Sequence, residues 1–84
     1  MMNALKARGL KPGVSDVMIA LPRGRYHGAF LELKFNDSSP VSKEQGDFVN
    51  LMEVSGYRAA IKVGYAAAVA FVIEYMALGP FKPA

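Results

Sequence analysis

Residues 14–35 read VSDVMIALPRGRYHGAFLELKF, in which two runs of alternating apolar and polar residues flank the turn-forming sequence PRGR. Alternation with a period of two is typical of β-strands that bury one face against a core. A short connection that contains glycine joins such strands as an antiparallel hairpin. We therefore predict strands over residues 14–21 and 27–35, and this hairpin decides the fold.

The remaining elements follow from the pattern on either side of the hairpin. We predict a short first helix over residues 2–8. A second helix is predicted to begin with the capping box Ser42–Gln45 and to run to about Ser55, with Gly56 as its C-cap. A strand over Tyr57–Val63 and a last helix over Tyr65–Leu78 complete the predicted elements. The helix between the second and third strands forms a crossover, so these strands are expected to be parallel. The predicted fold is α/β (α+β), a small mixed three-stranded sheet flanked by helices in the order αββαβα.

The composition limits how so short a chain can be stabilised. With 84 residues, 52% of them apolar and 20% charged, the chain is expected to form one domain over residues 1–84. It has no cysteine and a single histidine, which excludes disulfides, a zinc–thiolate site and a multi-histidine site within one chain. A partner subunit or a metal held by oxygen ligands remains as a source of extra stability.

The positive charge lies in the first part of the chain. Residues 1–35 carry six cations and two anions, a balance of +4, whereas residues 36–84 carry four cations and five anions, a balance of −1. An anionic partner such as nucleic acid is one explanation, and solubility is the other. No signal peptide is visible, and the longest apolar stretch, Tyr65–Ile73, is shorter than the ~20 residues that span a bilayer, so we expect a soluble intracellular protein with no membrane partner.

The hairpin brings two carboxylates together. A turn centred on Gly24 pairs residues that are equally distant from it, so Asp16 faces Glu32 with Cβ atoms ~4.5–5.5 Å apart. Like charges at this distance destabilise a sheet, whereas Mg²⁺ binds one or two carboxylates and keeps several waters. Lys34 lies on the same face and could neutralise a carboxylate or contact a scissile phosphate. The pattern fits metal-assisted phosphodiester hydrolysis, although Asp, Glu and Lys on one strand face also form ordinary salt-bridged surfaces.

Gln45 has two interpretations. It shares a helix stripe with Phe48 and Met52, at the edge of the face that should pack on the sheet. Its side chain could complete the capping box with Ser42 or form a hydrogen bond toward the carboxylates, and one role could exclude the other.

The turn of the hairpin is basic. Arg23 and Arg25 flank its central glycine, and Tyr26 and His27 follow. These side chains could grip phosphates or form an ordinary exposed turn. His27 falls on the strand face opposite to Glu32, so it is not predicted to be a metal ligand or a base.

The last predicted helix is unusually apolar. Between Tyr65 and Leu78 only Glu74 is charged. A helix that is apolar all round is expected to be buried all round, and a chain of this size cannot easily cover both sides. We predict that its outer face packs against a second copy about a two-fold axis. The alternatives are an exposed monomeric surface and adsorption to a membrane, and the latter is disfavoured because basic residues do not flank the polar side.

Four ordered motifs give the chain a resemblance to a known family. They are G-V-x-D at Gly13–Asp16, E-x-K at Glu32–Lys34, S-x-x-Q at Ser42–Gln45 and G-Y at Gly56–Tyr57. Over about residues 5–78 the sequence resembles the virus-type replication-repair nuclease (VRR-NUC) domain. This domain is a branch of the PD-(D/E)XK nuclease superfamily, with its restriction-endonuclease-like fold, and the resemblance is closest to stand-alone phage or prophage members.

The resemblance implies a Mg²⁺- or Mn²⁺-dependent endodeoxyribonuclease that acts as a homodimer on branched DNA such as four-way (Holliday) junctions. It implies Asp16, Glu32 and the Leu33 backbone carbonyl as metal ligands, Lys34 as the catalytic lysine and Gln45 as an accessory catalytic residue on the helix. The cations that we assign to DNA binding are Lys11, Arg23, Arg25 and Lys43. The expected setting is the cytoplasm of a bacterial host.

The sequence departs from the family pattern in three places. Ser15 and Lys43 stand where the family often has prolines, before the motif aspartate and after the helix-capping serine. No acidic residue precedes Asp16, where the family usually has a glutamate on a first helix, and the family's N-terminal segment is largely missing. The rival interpretation is a catalytically weak or inactive DNA-binding module of the same fold, and a third is an oligomerising protein whose carboxylates lie on its surface.

Overall fold

A computed structural model describes residues 14–36 and 40–83, and for residues 14–16 the backbone alone. The elements are β1 (Val14–Ile19), β2 (Ala29–Lys34), α1 (Lys43–Val54), β3 (Arg58–Val63) and α2 (Tyr65–Met76). Their order agrees with the predicted one, while the predicted helix over residues 2–8 lies outside the described residues. Neither α1 nor α2 is long and apolar enough to cross a membrane.

The sheet has the predicted topology, with the strands in the order β1-β2-β3. The β1–β2 pair is antiparallel with Asp16 opposite Glu32, and the β2–β3 pair is parallel. At the turn, Arg23 and Tyr26 exchange backbone hydrogen bonds of 3.2 and 2.9 Å around Gly24 at φ +55°. Three residues lie between this pair and the ladder on the first arm and two on the second, so the first arm carries one extra residue. The mixed three-stranded sheet and the hairpin register are therefore confirmed.

Both strands of the hairpin are shorter than predicted near the turn. The first ends at Ile19 rather than at residue 21, and the second begins at Ala29 rather than at residue 27. The backbone groups there have other partners, since the His27 amide donates to the Gly56 carbonyl at 2.9 Å and the Leu21 carbonyl accepts from the Tyr75 hydroxyl at 2.7 Å. These backbone groups are therefore not available for hydrogen bonds between β1 and β2 near the turn.

α1 begins with the predicted capping box and ends in a Schellman motif. The Ser42 Oγ accepts from the Gln45 amide at 3.1 Å, and the Ser42 amide donates to Gln45 Oε1 at 3.0 Å. At the other end, the C-cap is Ser55 and not the predicted Gly56. Gly56, at φ +97°, is the first residue beyond the cap, where the left-handed conformation favours glycine.

The two helices pack on opposite faces of the sheet. On one face, α2 forms the core with β2, through Ala29, Leu31, Ala68, Phe71 and Tyr75. On the other face, the ring of Phe48 from α1 meets the edge of the Phe30 ring at 4.9 Å between centroids. Because side chains alternate along a strand, Glu32 and Lys34 share the α1 face with Phe30. The fold thus separates the core from the face that carries the charged motif residues.

Tyr75 anchors the hairpin to α2, and we expect Tyr75→Phe to lower the free energy of unfolding by about 1 kcal/mol at neutral pH. Its side chain is 2% exposed and its hydroxyl donates to the Leu21 carbonyl at 2.7 Å, so the variant leaves that carbonyl without its donor. Urea denaturation at pH ~7 measures the difference.

The contribution of this hydroxyl should also depend on pH. Burial raises the pKa of the Tyr75 phenol above its ordinary value of 10.0. The neutral phenol therefore adds stability that is complete below pH ~10 and is lost as the pH rises through the higher folded pKa. The difference between wild type and Tyr75→Phe should be constant below pH ~10 and shrink above it. Tyr65→Phe, at a position that is 76% exposed, is the control and should show no such change.

Candidate active site

The charged side chains of the E-x-K motif are buried at the end of β2. Glu32 is 8% exposed and Lys34 is 3% exposed, on the face of the sheet that α1 covers. Burying a charged group is costly unless hydrogen bonds or opposite charges compensate it. Such burial is unusual for an ordinary salt-bridged surface, where both groups would stay solvated.

Asp16 occupies the position directly across the sheet from Glu32. The two residues are Cα partners in the β1–β2 ladder, as the hairpin pattern predicted. Facing residues of an antiparallel pair lie on the same face, with Cβ atoms ~4.5–5.5 Å apart. The backbone therefore places two acidic residues and Lys34 on one face within two neighbouring strands.

The segment that leads into α1 holds the lysine. Lys34 Nζ donates to the Pro40 carbonyl oxygen at 2.8 Å, two residues before the capping residue Ser42. This contact helps to compensate the burial of the ammonium group. It was not predicted, because a backbone carbonyl can accept a hydrogen bond at any residue type and so leaves no signal in the sequence.

Gln45 uses part of its side chain in the capping box. Its Oε1 accepts from the Ser42 amide at 3.0 Å, so the structural interpretation of this residue holds. The bond leaves the side-chain NH₂ as the group that could donate toward the carboxylate face. The two predicted roles therefore need not exclude each other, and the catalytic role stays a prediction.

The cations predicted to bind DNA do not lie together. Arg23 and Arg25 flank the hairpin turn, at the opposite end of β2 from Lys34. Lys43 forms an exposed ion pair with Asp47 at 2.8 Å, which offsets part of its charge. Lys11 lies outside the described residues. None of these assignments is tested by the fold, and each stays a prediction.

The donor set at the hairpin fits a hard divalent cation. Two carboxylates and the Leu33 backbone carbonyl would supply oxygen ligands, and Mg²⁺ or Mn²⁺ can complete its coordination with water and substrate phosphate. Among the described side chains, residues 17–36 and 40–83, no group of three or more His, Cys, Asp and Glu could hold a metal ion. The His27 ring packs near the rings of Tyr57 and Phe81, with centroids 5.9 and 5.7 Å away, and its exclusion from the metal ligands stays a prediction.

These observations agree with the class of protein that the resemblance predicts, the PD-(D/E)XK nucleases. A mixed sheet with an acidic residue opposite Glu32, and with Lys34 two residues farther along the same strand, is the arrangement that the resemblance to PD-(D/E)XK nucleases predicts. The helix that follows begins with the motif Ser42–Gln45 and covers the same face.

Comparison with solved structures supports this class. One solved chain, described as a "VRR_NUC domain protein", superposes with a TM-score of 0.77 at 28% sequence identity and covers 96% of this chain. This chain has the fold of a VRR-NUC domain, which confirms the resemblance that the four motifs predicted. It spans 66% of the length of that solved chain. No family model matches the sequence, and no curated protein matches it.

Proposed function

We propose that this chain is a Mg²⁺- or Mn²⁺-dependent endonuclease that hydrolyses phosphodiester bonds in DNA, with a preference for branched substrates such as four-way junctions. The observation that carries the proposal is the burial of Glu32 and Lys34 on one strand face with Asp16 opposite Glu32. The description of the similar solved chain as a VRR_NUC domain protein supports it. An intracellular phage or prophage setting is part of the same proposal.

In this mechanism Asp16, Glu32 and the Leu33 carbonyl would hold the metal. When bound, the metal supplies Lewis-acid polarisation of a phosphoryl oxygen and lowers the pKa of a water molecule. By fixing where the metal would sit, the carboxylates would set the orientation of the phosphate, so that water attacks from the side opposite the leaving oxygen. The new phosphorus–oxygen bond forms as the bond to the leaving oxygen breaks, the water gives a proton to solvent, and the leaving oxygen takes one from solvent.

Lys34 stabilises the charge that develops during this displacement. Its ammonium group shares the strand face of Glu32 and has little access to water, so its interaction with a phosphoryl oxygen is weakly screened. To reach a phosphate, the amine exchanges its 2.8 Å hydrogen bond to the Pro40 carbonyl for one to the substrate. Gln45 would assist through its side-chain NH₂, and Lys11, Arg23, Arg25 and Lys43 would contact phosphates elsewhere on the DNA.

We further propose that the active form is a homodimer assembled through α2. Tyr65, Val69, Ile73 and Met76 form one exposed apolar stripe along this helix, away from the buried residues of the core. The neighbouring Ala66 and Ala70 are small and also exposed, which lets a second helix approach closely. Burying this face against its own copy would remove a contiguous apolar surface from water.

A catalytically weak DNA-binding module is the second candidate. The observation that favours it is that the described side chains, residues 17–36 and 40–83, contain no group of three or more His, Cys, Asp and Glu that could hold a metal ion. Such a module would bind branched DNA without metal-dependent cutting.

Metal removal is expected to abolish cutting, because two carboxylates alone cannot polarise the phosphate or activate water. Labelled linear, nicked, flapped and four-way DNA of matched sequence should be incubated with the protein in Mg²⁺, in Mn²⁺ and in EDTA, and the products separated on denaturing gels. We expect cutting with either metal, fastest on the branched substrates, and none in EDTA. Binding without cutting in either metal would favour the second candidate.

A further inference from the structure

Three of the seven lysines and arginines in the described part of the chain have an identified role. Lys34 belongs to the candidate active site, Lys43 pairs with Asp47, and Arg58 pairs with Glu53 at 2.9 Å. Four cations form no ion pair with another described residue: Arg23, Arg25, Lys62 and Lys82. Three of these four lie at the turn of the hairpin: Arg23 and Arg25 within it, and Lys82 from a segment distant in sequence.

The segment that follows α2 brings Lys82 to the turn. The Gly24 amide donates to the Gly79 carbonyl at 3.2 Å, and the Lys82 amide donates to the Gly24 carbonyl at 2.6 Å. Both backbone groups of one turn residue are thereby used by this segment. The contact depends on glycine, because a Cβ at position 24 would lie 3.3 Å from the Leu78 side chain and would have to adopt a φ of +55°.

The side chains around this contact leave positive charge accessible. Arg25 and Lys82 are exposed, and the Arg25 guanidinium carbon lies 5.3 Å from the centroid of the Tyr26 ring. Stacking on a ring keeps an arginine extended while its N–H groups remain free to donate. Arg23 is half-buried, and its buried Nε has no hydrogen-bond partner in the described residues. Glu74 lines a neighbouring cavity of about 150 Å³ with Tyr26 and Arg58, and it forms no ion pair with any of the three cations.

We propose that Arg23, Arg25 and Lys82, here called the basic tip, form a binding site for the phosphate backbone of DNA that is separate from the carboxylate site. The inference rests on the proposed function only in taking DNA as the ligand. Tyr26 lies six residues before Glu32, and at ~3.3 Å per extended residue the two sites are at most ~20 Å apart. That separation corresponds to at most ~6 base pairs of duplex at 3.4 Å each. The basic tip therefore holds phosphates remote from the bond that is cut and adds affinity rather than chemistry.

Binding in EDTA tests the basic tip without any need for cutting. Fluorescence anisotropy with a labelled duplex of ~20 base pairs should be measured over a series of salt concentrations for wild type and for the double variant Arg25→Gln, Lys82→Gln. Each phosphate contact contributes ~0.9 to the slope of log K against log salt. We expect the double variant to bind at least ~10-fold more weakly at low salt and to lose ~2 from that slope. Both residues are exposed, and Lys82→Gln keeps the backbone bond to Gly24, so the fold should be retained.

Lys62→Gln is the matched control, because Lys62 is also a cation without a described ion pair but lies in β3. We expect it to change the salt slope by much less than the ~2 expected of the double variant. Unchanged DNA binding by the double variant would overturn the proposal that the basic tip binds DNA. A loss of affinity with Lys62→Gln equal to that of the double variant would overturn it as well. A protein that shows the expected tip effect in EDTA but never cuts DNA would refute the nuclease proposal and leave the basic tip standing.

Discussion

Glu32→Gln should lower the rate of DNA cutting by at least about 1000-fold, a loss of ~4 kcal/mol in transition-state stabilisation. Glutamine keeps the shape of the side chain but removes the negative charge that would hold the metal at the end of β2. Lys34→Met should have an effect of ~10²–10³, which is typical for removing one group that stabilises developing negative charge. Single-turnover cutting of four-way DNA in Mg²⁺, with protein in excess, separates this loss from any change in binding.

Lys62→Met is the control for this experiment. Lys62 is the neighbour of Leu33 across the β2–β3 ladder and carries the same charge as Lys34, but it falls on the α2 face of the sheet. It should therefore keep a rate close to that of wild type. Thermal denaturation of each variant shows whether the fold is retained, since Glu32 and Lys34 are both buried. Cutting that survives both Glu32→Gln and Lys34→Met would remove the site assignment while leaving the fold intact.

The hairpin could be predicted from sequence because its determinants are local. An alternation of period two fixes which side chains share a face. The turn pair Arg23–Tyr26 is offset by one residue from the ladder, so the pairing of Asp16 with Glu32 follows from keeping the apolar faces of both strands on the core. The capping box of α1 was equally local, since Ser42 and Gln45 are three residues apart. Prediction worked where a few neighbouring residues decide the conformation.

Contacts that involve backbone groups distant in sequence could not be predicted. Lys34 donates to the Pro40 carbonyl, and Gly24 bonds to a segment more than fifty residues away, at Gly79 and Lys82. Every residue has a carbonyl, so no residue type marks such a partner. For the same reason the predicted strands extend too far toward the turn. The Leu21 carbonyl has its partner in α2, and the His27 amide has its partner in the residue Gly56 after α1. Lys82 reaches the turn through a bond of this kind, which leaves no signal in the sequence.

Ile73→Lys should convert the protein from dimer to monomer at micromolar concentration. Ile73 is 62% exposed in the single chain and lies near the middle of the apolar stripe of α2. In the proposed dimer this position is buried against a second copy. The two-fold symmetry places the substituted residue in the interface twice, so two unpaired ammonium groups would have to be buried. We expect the dissociation constant to rise at least ~100-fold, which corresponds to ~2.7 kcal/mol. Light scattering coupled to size exclusion, over a range of protein concentrations, measures it.

Val54→Lys separates a specific interface from a general effect of added charge. Val54 ends α1 and is 82% exposed, so a lysine there adds the same charge to a different apolar surface. A dimer built through α2 should tolerate it, and a protein held together by non-specific apolar contact should respond to both substitutions alike. A wild-type chain that elutes as a monomer at micromolar concentration would remove the dimer altogether. If only Ile73→Lys separates the subunits, cutting of four-way DNA by that variant should produce single nicks instead of paired ones, because each monomer carries one hairpin site.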